Sequence, residues 1–198
     1  MIKYAAWRIF IALLVVHTPA IAQQCGQLEG RSAESLVSYL SGVVPDQRNA
    51  PCVAFALGQL GNQQYAGAAP ILTKFLEFRW PLGARQKQRL YVIEHDGSTI
   101  YPAADALEQI GKNALPAILA AIKSNSISRQ SLDVAVSVWM TIYKNRGPVG
   151  VAMLKLEGNK TNDPGAAQRL QWAAVRAAHG WCSPSEKAQC NAVLNSQY

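Results

Sequence analysis

Two stretches fifty residues apart decide the fold: Ala56-Leu57-Gly58-Gln59-Leu60-Gly61 and Ala106-Leu107-Glu108-Gln109-Ile110-Gly111. Each places an alanine and two aliphatic residues on one face of a 3.6-residue helix and then meets a glycine. Each is followed by a short turn and a second apolar helix, opening Ala69-Pro70-Ile71-Leu72 in one copy and Leu115-Pro116-Ala117-Ile118 in the other. Small alanines let paired helices approach, the aliphatic residues fill the interface, and the glycine is expected to end the first helix. A pair of this kind cannot bury its apolar face alone, so such units stack on one another.

Outward from these copies the helical period persists, broken by Gly, Pro, Asn and Ser. Helices are expected at about 32–41, 50–60, 67–78, 102–110, 114–123, 128–144, 148–157, 164–181 and from Ser183 onward. The 128–144 segment is apolar nearly all round (Leu132, Val134, Val136, Val138, Trp139, Met140, Ile142), which predicts packing on more than one side. The last helix opens with Ser183-Pro184-Ser185-Glu186, a capping box with proline at the first helical position.

The two copies resemble HEAT-like repeats of the short bacterial type. The resemblance runs over about residues 50–123 and is architectural over 124–195. It implies an all-α, short α-solenoid of antiparallel helix pairs, and it carries no activity with it. Residues 79–100 interrupt the repeat as an insertion. Within 84–101, Leu90-Tyr91-Val92-Ile93, the Asp96-Gly97 turn and the return to Tyr101 read as a small β-hairpin, with a further helix at 84–93 as the other reading. Insertions between repeats tend to emerge on one face, often the one that binds.

The start of the chain reads as a cleaved signal peptide over 1–22. Lys3 and Arg8 supply the positive start, residues 9–16 an apolar core, and Pro19 leads into Ala20-Ile21-Ala22. The apolar run is far shorter than the roughly 20 residues a membrane-spanning helix needs. Ala22-Gln23-Gln24 before Cys25 does not suit lipid attachment. The mature chain, 23–198, is then expected to be one domain in the periplasm or secreted, not membrane-spanning, with an oligomeric state the sequence leaves open.

All four cysteines lie in that mature part, and an even count in an exported chain reads as two disulfides. Three connectivities are open. Cys25–Cys52 with Cys182–Cys190 is the natural pairing of near neighbours. A helix starting at Pro184 would, however, set Cys190 about 9 Å along its axis, beyond easy bridging reach of Cys182. No cysteine pair has the short spacing that places two thiolates on one zinc ion, and no metal or cofactor is expected.

The formal charge of +7 falls to about +5 once Lys3 and Arg8 are removed. A mild basic excess favours an anionic partner, here an acidic protein of the cell envelope rather than nucleic acid, from which export separates the chain. Two surfaces suit it. On the 164–181 helix, Arg169, Trp172, Arg176 and His179 fall together opposite the apolar stripe Leu170, Ala173, Ala174, Ala177, Ala178 and Trp181. Tryptophan among arginines is an interface composition. In the insertion, Arg79, Arg85, Lys87 and Arg89 lie beside Trp80 without an intervening acid. The expected function is therefore a non-catalytic protein-binding scaffold. The rival reading is an envelope enzyme or accessory factor with Glu94, His95 and His179 at its site. Adjacent side chains on a strand diverge, and no nucleophile elbow, phosphate loop or metal-binding helix motif accompanies these residues.

Overall fold

The computed structural model describes residues 25–80, 101–144 and 146–196. These residues are helical, with no strand among them. The helices are α1 (Ala33–Gly42), α2 (Ala50–Asn62), α3 (Ala69–Leu72), α4 (Pro102–Ile110), α5 (Leu115–Lys123), α6 (Arg129–Ile142), α7 (Gly147–Lys160), α8 (Pro164–Gly180) and α9 (Lys187–Asn195). The signal segment 1–22, the hairpin-or-helix question over 84–101, and Arg85, Lys87, Arg89, Glu94 and His95 all lie outside the described residues.

Local chemistry explains where the helices begin. Prolines occupy the first turn of α2, α3, α4, α5, α7 and α8, where the missing N–H has no intrahelical partner to lose. Ser32, Ser128 and Asp163 cap α1, α6 and α8, accepting hydrogen bonds from backbone amides of the first turn.

Three expectations need correction, the third of them at the start of α9. The 67–78 helix is a single α turn, α3, flanked by 3-10 turns at Ala66–Ala68 and Thr73–Phe75. Thr73 Oγ1 donates to the Pro70 carbonyl at 2.9 Å, a local bond that competes with the continuing helix ladder. The second concerns the glycines. Gly111 does end α4, with φ +68°. Gly61 does not end α2: it lies inside the last turn, where an added Cβ would sit 2.7 Å from Ala106 Cα. Its role is to let α2 and α4 come together.

The repeated residues are the packing residues. Ala56, Leu57, Leu60, Ala106, Leu107 and Ile110 are all buried. Helix α2 packs on α4 and α4 on α6, while α3 packs on α5 and α5 on α8. Helix α6 touches α4, α5, α7 and α8, as its all-round apolar surface requires. Its Trp139 is buried and donates from Nε1 to the Gly150 carbonyl of α7 at 3.0 Å. Helix α7 packs most extensively on α8, and α9 closes over both.

The disulfides are Cys25–Cys52 and Cys182–Cys190, with Cα atoms 5.1 and 6.7 Å apart. The second pairing fits because α9 starts at Lys187 rather than Pro184, so Cys190 is still in its first turn. Residues 184–186 form a turn ahead of α9, with the Glu186 amide donating to the Ser183 carbonyl and the Glu186 side chain tied on both sides. Glu186 Oε2 accepts from Ser183 Oγ at 2.6 Å, and its Oε1 accepts from the Gly147 amide at 3.0 Å, linking the openings of α9 and α7. At the far end of α9, Lys155 Nζ donates to the Val193 and Leu194 carbonyls.

Candidate functional site

The residues expected on the binding face of α8 are brought to one side of it, though two of them bind within the fold. Arg169 Nε donates to the Ile122 carbonyl at 3.3 Å and its Nη2 donates to the Lys123 carbonyl, so this guanidinium caps the end of α5. Arg176 Nε meets Asp133 Oδ1 of α6 at 2.9 Å. Both arginines reach a neighbour because α8 lies against α5 and α6 together. Trp172 is half-buried, and the cation over its ring is Arg129 of α6, 6.0 Å from the centroid, rather than an arginine of its own helix. His179 is exposed at the end of α8. Trp181 is half-buried against the core.

Of the basic insertion, the described part is Arg79, whose guanidinium stands 5.5 Å from the Tyr101 ring centroid, and Trp80, which packs against the core.

Three open clefts lie on the described surface, the third of them lined by Arg169 and Trp172, and sequence periodicity points to none of them directly. The first, of about 430 Å³, is apolar: Leu40, Val44, Ile71, Phe75 and Phe78 line it, with Lys74 and Glu77 at its edge. The second, of about 520 Å³, is lined by hydroxyls from Ser124, Ser126, Ser128 and Ser131, again with Lys74 and Glu77. The third, of about 300 Å³, lies between Ile127, Leu132 and Trp172, with Arg129 and Arg169 at its rim. Lys74 and Glu77 belong to the first and second clefts, and Ile127 belongs to the second and third. The three therefore adjoin one another in a row, with these shared side chains at their borders. The row crosses from the end of α1 past α3 and the α5–α6 connection to α8.

The row has a definite chemistry. Glu77 Oε1 accepts from the Ser128 and Ser131 hydroxyls, which fixes that carboxylate against the start of α6. Ser124 and Ser126 share a hydrogen bond of 2.8 Å. Val44 is 83% exposed, an apolar side chain standing open to solvent at the first cleft. Among the described residues no three His, Cys, Asp or Glu side chains converge to hold a metal ion. Every cysteine is disulfide-bonded.

Elsewhere, Glu108 of α4 faces α6. Its Oε1 is buried with no hydrogen-bond partner. Burial pushes its carboxyl up to about 7, the Asp105 carboxylate adds to the rise, and the Thr141 hydroxyl opposes it. It lines none of the three clefts.

No family model, curated protein or solved structure matches this chain.

Proposed function

We propose that this chain is an exported, non-catalytic protein-binding scaffold, built as a short α-solenoid of HEAT-like helix pairs and acting in the periplasm or outside the cell. The observation that carries this reading is the row of adjoining clefts, which draws residues from α1, α3, α6 and α8 and shares Lys74, Glu77 and Ile127 at its borders. The solenoid build is supported by the successive packing of α2, α4 and α6 and of α3, α5 and α8. Two disulfides suit an oxidising compartment. No helix of the described residues is long and apolar enough to cross a membrane. The partner is an acidic envelope protein, held against Trp172 and the cations beside it, with Arg85, Lys87 and Arg89 of the insertion adding a second basic contact.

The test is affinity capture of envelope proteins by the exported chain, at low and high salt, with Trp172→Ala alongside. A partner retained by wild type, weakened by salt and lost with Trp172→Ala supports the scaffold. If nothing is retained while His179→Ala abolishes a catalytic turnover of the same chain, the scaffold reading fails.

A further inference from the structure

The row of clefts is unbalanced in charge. Lys74 is exposed and makes no ion pair among the described residues, and Arg129 is engaged only by the Trp172 ring. Arg169 is bonded to two backbone carbonyls, which orient its charge without neutralising it. Among the described residues Glu77 is the one carboxylate lining these clefts, and serine hydroxyls already occupy it. A ligand that fills the row meets a positive excess at both sides of the hydroxyl-lined middle.

We propose that the occupant is an extended acidic polypeptide segment. An apolar side chain seats against Ile127, Leu132 and Trp172, a second seats near Val44 and Phe78, and carboxylates between them face Arg129 and Lys74. The proposal rests on the scaffold reading above and narrows its partner.

Three physical arguments select this occupant. Packed helices lie about 8–10 Å apart, so a row crossing from α3 past α5 to α8 spans about 20 Å. An extended strand covers that distance in about six residues, whereas six helical residues advance only about 9 Å. In the middle of the row Ser128 and Ser131 donate their protons to Glu77, and Ser124 and Ser126 share one bond, so what they offer is mainly oxygen lone pairs, which accept from the amides of a passing backbone whatever its sequence. The two end clefts are apolar. A polyphosphate or sugar-phosphate chain has the charge but nothing to bury there, whereas a peptide supplies both.

The test uses the disulfide-intact exported chain and three fluorescein-labelled peptide pools of about eight residues. One pool is acidic with apolar residues at both ends. A second replaces the acids by lysine, and a third keeps the acids but replaces the apolar residues by serine. Fluorescence anisotropy is expected to show the first pool binding at least about tenfold more tightly than either of the others, with affinity falling as salt rises. The double variant Lys74→Glu/Arg129→Glu should shift the preference to the lysine pool. Both positions are exposed, and an unchanged thermal transition verifies that the variant is folded.

Equal binding of the lysine pool, or affinity unmoved by the double charge reversal, overturns the proposal. Heparin binding without binding of the first pool overturns it in favour of a simple polyanion site. An envelope partner that is captured but not displaced by the first pool leaves the scaffold standing and removes this inference. Loss of both partner capture and peptide binding removes both.

Discussion

Gln64 holds a conformation that its side chain does not favour. Its φ is +49°, and the Tyr65 amide reaches back to the Leu60 carbonyl while the Gln64 amide reaches Gly61. This is a Schellman closure of α2 with glutamine where glycine is usual. A left-handed L-residue costs about 1 kcal/mol, so Gln64→Gly is expected to raise stability by about 0.5–1 kcal/mol in urea unfolding. A loss of stability would show that the glutamine side chain holds the turn in some other way. Glu108 presents the opposite case, a side chain in an unfavourable medium. Its folded carboxyl titrates near about 7, against an ordinary 4.5. Because the folded value is raised, the stabilisation from this group is fully present below the unfolded value and lost as pH rises through about 7. That amounts to about 3 kcal/mol at most over the window, and Glu108→Gln should remove it. The measurement is chemical denaturation of both proteins from pH 4 to 8. Parallel curves would mean that Glu108 is solvated in the folded chain.

At the scale of elements, the helix period was readable because each helix buries one stripe, and α6 was readable as central because it is apolar all round. The functions of the glycines were not readable. Gly61 and Gly111 close the same sequence pattern, yet one is a contact point and the other a turn. The difference lies in what α4 and its neighbours bring to each, and no local window contains that. Gly58 and Gly61, three residues apart on α2, allow a direct test. A Cβ at Gly58 meets nothing within 4 Å, whereas one at Gly61 meets the Ala106 backbone at 2.7 Å. Gly58→Ala should therefore stabilise by about 0.5–1 kcal/mol through helix propensity. Gly61→Ala gains the same propensity but must push α2 from α4, so a net loss of about 1–2 kcal/mol is expected. If both variants move stability in the same direction, propensity alone governs this helix and the close approach carries no cost. The α8 arginines follow the same logic. Helical spacing put Arg169 and Arg176 on one face, but only the positions of α5 and α6 decided that both would be used inside the fold.

For the whole molecule, the row of clefts was the least legible feature, since Val44, Phe78, Ser128 and Trp172 are far apart in sequence and line adjoining clefts only through the packing of helices. The disulfides were more accessible, because neighbouring cysteines at each end pair locally. What the capping-box reading misjudged was the start of α9: the helix runs from Lys187, which keeps Cys190 in its first turn and within reach of Cys182. The two bridges should matter unequally. Cys25–Cys52 closes a sequence separation of 27 residues, and Cys182–Cys190 closes one of 8. Chain entropy then assigns about 3.5 kcal/mol to the first and about 2.5 kcal/mol to the second. The surroundings widen the gap. With the second bridge removed, Glu186 still binds the Gly147 amide and Lys155 still holds the last carbonyls of α9. The 3-10 turn at Gly26–Leu28 has Leu28 as its buried anchor on the core. Unfolding of Cys25→Ser/Cys52→Ser and of Cys182→Ser/Cys190→Ser, each against wild type, measures both. The N-terminal pair should lose more. A larger loss from the C-terminal pair would mean that α9 depends on its bridge to stay on α7 and α8, and that its polar ties form only once the bridge has placed them.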